Sequence, residues 1–260
     1  MRPRPLSSFN VNVYGHELEP GAKLAGVDLR LAQIAGVDLS GADLREVNLR
    51  GANLSGANLQ RVRFGPVEEG LDKPFPMLGV GAEGTGVNFD GADLTGADLT
   101  GVNFSESSFV GAIFDGATLV GARIKHSNLD GASFRGARLS GGDFGSNSMR
   151  VADISEADLS PVLIRGRLES STVLQLSDLS GSKICFSNLR SVFACMANFT
   201  SVNFAGSNLE DGNFFEAVLT NASLPLTRLA WCNLCDAVLG GNTLSGSNLA
   251  GVFLPDQWIS

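Results

Sequence analysis

Histidine and the larger aromatics are scarce in this 260-residue chain, which holds two histidines, one tyrosine and two tryptophans. Neither His16 nor His126 sits in a nucleophile elbow, and no phosphate-binding loop is evident. No run of about 20 apolar residues exists, so no transmembrane helix is expected. The opening "MRPRPLSSFNVNVYG" lacks an apolar run of signal-peptide length. Basic residues are outnumbered, 19 against 27 acids, and the net charge of −8 disfavours direct nucleic-acid binding. Together these absences point to a soluble, cytoplasmic protein without membrane contact, cofactor, metal or catalytic residues. The many glycines suggest no ligand loop either, because they follow a regular spacing.

That spacing is five. In "LSGADLREVNLRGANLSGANLQ", residues 39–60, a leucine returns at Leu39, Leu44, Leu49, Leu54 and Leu59. A small residue precedes most of them by two positions (Ala42, Val47, Ala52, Ala57), and Asp or Asn by one (Asp43, Asn48, Asn53, Asn58). An α-helix turns about 100° per residue, so leucines five apart would spiral around it and leave no apolar face. A strand alternates faces every residue, so an odd period sends successive leucines to opposite sides. A chain that bends at each repeat fits. Four repeats close a square coil of about twenty residues, climbing about 4.8 Å per turn. Leucine then points to the axis, the small residue fills the remaining inner space, and Asp or Asn bonds the turn backbone.

The register runs from Leu24 to Phe64 and from Phe89 to Leu254, 43 central slots in all; Leu, Ile, Phe or Met fills 41, the exceptions being Glu169 and Ala194. One solenoid of about 10–11 coils, roughly 50 Å long, is predicted. Phe104, Leu179 and Phe199 join the five leucines above in its structural core. The four cysteines fall into place on this frame. "CNLC" at 232–235 resembles a zinc or redox half-site, but Cys232 takes an inward slot and Cys235 an outward one. With Cys185 and Cys195 they read as structural residues.

The motif Ala-Asp/Asn-Leu-x-x, as in "GADLTGADLTGVNF" (91–104) and "GSNLAGVFLPD" (246–256), resembles that of pentapeptide repeat proteins, most closely bacterial and cyanobacterial members. The resemblance spans about 210 residues. It implies an all-β, right-handed quadrilateral β-helix. It implies no single activity, because members differ widely in role. The best-understood relatives bind DNA gyrase as duplex mimics and protect it from quinolones or toxins; others are regulators or effectors.

Interruptions divide the chain. Residues 1–21 read as an N-terminal cap, in which Phe9, Val11 and Val13 alternate as a strand. Residues 22–64 and 86–254 carry repeats, and 255–260 form a tail. Between the repeats, 65–85 reads as an irregular loop or one degenerate coil. As a loop it is a candidate partner site through Glu68, Glu69, Asp72, Phe75 and Glu83, since excursions from rigid scaffolds often carry recognition. A second irregularity, "LIRGRLESSTVL" (163–174), would bury Arg167 and Glu169 in strict register, a costly arrangement. A one-residue slip, with Leu163, Leu168 and Val173 central, predicts a bulge that turns both charges to solvent. The rival reading is a buried Arg167–Glu169 site.

Two surface features bear on function. Residues twenty apart are expected to stack. Cys195, Phe215 and Cys235 then form an outward column flanked by Phe193 and Phe253, with Trp231 at the adjoining corner. Such an apolar patch suggests a homodimer or another protein interface. Alternatively, the tail covers it with Trp258 and Ile259. Asp38, Asp98, Asp158 and Asp178 also share an expected column, broken by Arg138. A duplex of about 50 Å carries about 30 charges, far more than the −8 here. A non-enzymatic scaffold or regulator with an unidentified protein partner is therefore preferred to a gyrase-protecting mimic.

Overall fold

The computed structural model describes residues 11–65, 82–159 and 172–254, together with the backbone of two short strands between 162 and 170. The chain winds as a right-handed quadrilateral β-helix of about ten and a half turns. No helix occurs among the described residues.

Each coil is tied to the next by the residues flanking every central side chain. The Leu24 N–H donates to the Asp43 carbonyl at 2.8 Å, and the Asp43 N–H donates back to the Ala22 carbonyl at 2.9 Å. The resulting parallel ladders link residues twenty apart, such as Lys23 with Asp43 and Asp43 with Arg63. Corners close by a bond from the small residue to the preceding central carbonyl, as from Ala42 to Leu39 at 2.9 Å. The third residue of each such turn is left-handed, the conformation type II turns need. Glycine takes many of these positions, but Phe186, Leu226 and Trp231 also adopt it, with φ of 55°, 55° and 61°.

Leu39, Leu44, Leu49, Leu54, Leu59, Phe104, Leu179 and Phe199 are all fully buried, as are Ala42, Val47, Ala52 and Ala57. Because one column repeats at the coil rise, rings within it stack. Phe89 and Phe109 lie 4.9 Å apart at 7°, and Phe114 and Phe134 lie 4.6 Å apart at 1°. At the N-terminal end, β1 (Val11–Val13) pairs antiparallel with β2 (His16–Leu18) through a turn at Tyr14 and Gly15, both left-handed. Leu18 is buried, and Val11 and Val13 pack against the core. Phe9 lies outside the described residues.

The first interruption is shorter than 65–85. Ala82 is buried on the wall, Glu83 bridges Asn48 and Asn103, and Gly84 occupies a central slot. A side chain at Gly84 would meet Val87 at 2.6 Å and Leu49 at 3.3 Å, so this coil has no room for leucine. That glycine hides the repeat from a pattern reading. The ladder steps from Asn48 to Glu83, fifteen residues beyond a normal coil.

The second interruption overturns the one-residue slip. Asp143 bridges Val173, ten residues beyond a normal coil, and β3 (Val162–Ile164) pairs antiparallel with β4 (Arg167–Ser170). The extra residues form a strand pair, so the flanking coils keep their register. Val173 therefore sits on the wall between Asp143 and Phe193, while Leu174 is the buried central residue. Slots 164 and 169 of the five-residue count do not belong to the solenoid. The side chains of Arg167 and Glu169 lie outside the described residues.

These two insertions also undo the expected acidic column. Asp98 and Asp158 do share one ladder, through Thr118 and Arg138. Asp38 instead stacks with Asn58 and Asp93, and Asp178 with Ser148 and Asn198. Insertions of fifteen and ten residues move everything after them by three and two sides of the square, so the acids fall on three faces.

Polar residues replace alanine at several inner corner positions, one column of which runs from Ser107 to Ser177. The N–H of Val87 donates to Ser107 Oγ (3.1 Å), that of Ser107 to Ser127 Oγ (3.1 Å), and that of Ser127 to Asn147 Oδ1 (2.9 Å). Asn147 in turn donates to Ser177 Oγ at 3.3 Å. Side chains of the next coil thus satisfy N–H groups that elsewhere close the turn. No buried side-chain nitrogen or oxygen among the described residues lacks a partner, as a tightly packed interior demands.

Candidate interaction surfaces

A side-chain-filled solenoid offers walls and corners rather than an interior pocket. Among the described residues no group of three or more His, Cys, Asp or Glu is placed to hold a metal ion. No helix among them is long and apolar enough to cross a membrane. Cys232 points inward, its thiol donating to the Leu209 carbonyl at 2.7 Å, and burial pushes its pKa up to about 12. Cys235 is half-buried on the outer wall, so the two sulfurs face opposite ways. Burial also raises the Cys185 and Cys195 thiols. Thiols held in the protonated form are poor nucleophiles.

The wall built on Leu174, Ala194, Phe214, Leu234 and Leu254 carries the apolar patch. Its ladder runs Val173, Phe193, Asn213, Asn233, Phe253. Beside it Met196 donates its N–H to the Phe215 carbonyl, and Glu216 to that of Cys235, which sets Cys195, Phe215 and Cys235 in one column. Exposure separates these residues. Cys195 is buried, and Phe193, Phe215 and Cys235 are half-buried. Phe253 is 56% exposed and Trp231 61% exposed. The Trp231 ring lies over Gly251, where a Cβ would meet it at 2.5 Å. The ring leaves room only for a glycine there. Val218 and Val238 stack on the next wall.

Sequence reasoning missed the corners. Leu176 and Met196 border the same wall, and Phe186 and Leu226 project from another corner, all four exposed. Their signal was present: each stands two residues after a central residue, where the chain otherwise often places glycine. Of the predicted loop residues, Glu68, Glu69, Asp72 and Phe75 lie outside the described residues. Glu83 is corrected: it is exposed on the solenoid wall and not on an excursion.

Several charges on the walls are paired locally. Arg45 grips Asp43 through Nε–Oδ1 at 2.7 Å and Nη2–Oδ2 at 2.6 Å. Asp43 is the most buried acid described, and this hydrogen-bonded guanidinium holds its carboxyl below the usual carboxylate range, against the opposing effect of burial. A depressed folded pKa contributes stability above the unfolded value near 4, and this is lost as pH falls through the folded one. Asp43→Asn should lower stability at pH 7 by about 1–2 kcal/mol. The deficit should shrink below about pH 4, as thermal melts across pH 3–7 would show.

The fold defines a class, the quadrilateral β-solenoid whose coils are built from five-residue sides. The family of pentapeptide repeats matches in eight copies, over residues 21–51, 28–65, 88–125, 127–162, 197–236 and 213–251. The chain belongs to the pentapeptide repeat family. Among solved structures it is similar to HetL, a pentapeptide repeat protein involved in heterocyst differentiation regulation from the cyanobacterium Nostoc sp. strain PCC 7120. The two share 25% identity over 86% of this chain and 91% of HetL, with a TM-score of 0.67. A trypsin-treated form of QnrB1, a plasmid-mediated fluoroquinolone resistance protein, is 19% identical over 92% of this chain and 93% of its own, with a TM-score of 0.32. A pentapeptide repeat protein of the Arabidopsis thaliana thylakoid lumen is 26% identical over 55% and 71% of the two chains, with a TM-score of 0.19. No curated protein matches the chain by sequence.

Proposed function

We propose that this protein is a non-enzymatic cytoplasmic scaffold or regulator that presents a rigid wall to a protein partner. The observation that carries this reading is the clustering of Phe193, Phe215, Phe253 and Trp231 on one wall and its corner, the last two more than half exposed. Exposed aromatics fixed on a rigid surface suit binding, because little side-chain entropy remains to be lost. Aromatic residues are also those most enriched at interface hot spots. The likeness to HetL, a protein involved in heterocyst differentiation regulation, supports a regulatory scaffold. Gyrase mimicry draws no support from charge, since the acids expected in one stripe occupy three walls.

Affinity capture from the native host with the parent and with Trp231→Glu/Phe253→Glu tests the proposal. A specific protein retained by the parent and lost by the variant, at unchanged β-sheet signal, is expected. Identical capture by both would remove the patch from function. Sedimentation at high concentration separates self-association from a foreign partner. A dimer that Phe215→Glu/Trp231→Glu converts to monomer identifies the partner as a second copy.

A further inference from the structure

The aromatic wall is distinguished by charge as well as by polarity. The corner that follows it carries Leu176, Met196, Glu216 and Asp236 in successive coils, all four exposed. On the preceding corner Asp211 stands one coil from Trp231. Arg190 holds Asp211 at 3.1 Å, but Glu216 and Asp236 form no ion pair among the described residues. No cation answers them on the wall itself. Between 172 and 254 the bases are Lys183, Arg190 and Arg228. Arg190 and Arg228 stand on the adjacent wall, the latter bound to Glu210 at 2.7 Å. Lys183 lies on the opposite wall, in the ladder between Asp153 and Asn203. Toward the N-terminal end of the aromatic wall the signs are mixed: Arg30, Arg50, Arg123 and Lys125 are interspersed with Asp28, Glu83 and Asp143. Aromatic surface and uncompensated acid thus coincide on the C-terminal stretch.

This stretch can bind only through side chains. Its N–H and carbonyl groups are used along the axis: the Phe193 N–H donates to the Thr172 carbonyl at 2.9 Å, and that of Ala194 to the Asn213 carbonyl at 2.8 Å. No strand edge faces outward, so a partner cannot add a strand and must arrive with its own backbone bonds made. A helix meets that condition. From Val173 to Phe253 is four coil steps, about 19 Å, the length of about 13 helical residues. A second copy is a poor match, because a two-fold contact would set the acid-rimmed patch against an identical one.

Resting on the scaffold reading above, we propose that this wall docks a basic amphipathic helix of a partner protein. The apolar stripe of the helix lies over Phe193, Phe215 and Phe253, with Trp231 closing one flank. Its Lys or Arg side chains face Glu216 and Asp236 on the other. The aromatic contacts supply the affinity, and the exposed charges choose the partner and speed its encounter.

Fluorescence anisotropy on the full chain tests the assignment with labelled peptides of about 14 residues. One carries leucines at helical spacing flanked by lysines, a second has glutamate for lysine, and a third is the lysine peptide with a central proline. The lysine peptide should bind on the order of tenfold more tightly than the glutamate peptide at low salt, and the gap should narrow as salt is raised. The central proline should weaken binding by about tenfold or more, since it breaks the helix. Glu216→Lys/Asp236→Lys should reverse the order of the first two peptides. Glu46→Lys/Glu106→Lys, an equal change in charge away from the patch, should leave that order intact. Equal affinity for the lysine and glutamate peptides, undiminished binding of the proline peptide, or the same loss of preference in both double variants would each overturn the proposal. So would no binding of the lysine peptide at millimolar concentration. The scaffold reading is judged separately, by capture with Trp231→Glu/Phe253→Glu, so the two failures are told apart.

Discussion

Leu179→Asp should unfold several coils of this solenoid, while Ser180→Asp, one residue further on, should change stability by no more than about 0.5 kcal/mol. Leu179 is fully buried on the axis, and its N–H donates to the Asn198 carbonyl at 2.8 Å. An aspartate there forfeits about 1.5–3 kcal/mol of apolar burial. Its charge would have no partner in a shell of leucines and phenylalanines, and burying it unpaired adds several kcal/mol. Ser180 sits outside on the same wall, only half-buried, where a carboxylate stays hydrated. Repeat arrays hold together through neighbouring units. Damage at Leu179 should therefore spread to the coils above and below before it is contained. Hydrogen exchange would locate the loss: protection should vanish around 150–210 and persist near Leu44 and Leu54. Equal melting temperatures for the two variants would refute the inward register.

Phe114→Ala should cost about 3–5 kcal/mol. The ring is fully buried and stacked on Phe134 at 4.6 Å, with Phe109 at 5.5 Å. Removing it empties a space that the square backbone cannot close, because ladder bonds on all four sides hold the walls apart. The same deletion near the C-terminal end should be mild. Leu249 is 42% exposed and borders an apolar cavity of about 50 Å³ lined almost wholly by leucines. Leu249→Ala should cost less than about 1 kcal/mol, since much of the side chain already faces water. Chemical denaturation of both variants measures the contrast. Comparable losses would show that packing is uniform along the rod.

Surface placement explains where the functional candidates stand. The interior is spent on phenylalanine and leucine, so chemistry is left to the walls and corners. On the walls, most positions serve the ladder or the turn: Asp178 accepts the Ser180 N–H at 3.0 Å, as Asn198 does that of Thr200. The exceptions are informative because their side chains close neither a ladder nor a turn. Trp231, Phe253, Leu31 and Tyr14 each expose apolar surface, and three of the four do so from a left-handed backbone.

The inner columns were legible in the amino-acid order alone. Whether Leu44 or Phe199 faces the axis is decided within its own five residues, by the small residue before it and the turn after it. That information is local and repeats often enough to exclude helix and ordinary strand. Which coil lies over which is not local. It depends on how many residues leave the wall between one coil and the next. Gly84 concealed a repeat, and the strand pair at 162–170 filled two slots that a five-residue count assigns to the core. Tertiary structure alone therefore separated Asp38 and Asp178 from Asp98, placed Glu83 between Asn48 and Asn103, and linked Ser107, Ser127, Asn147 and Ser177 in one polar chain. Facing inward or outward is a property of the turn, whereas neighbourhood across coils is a property of the closed ladder, which forms only when the whole chain has been wound.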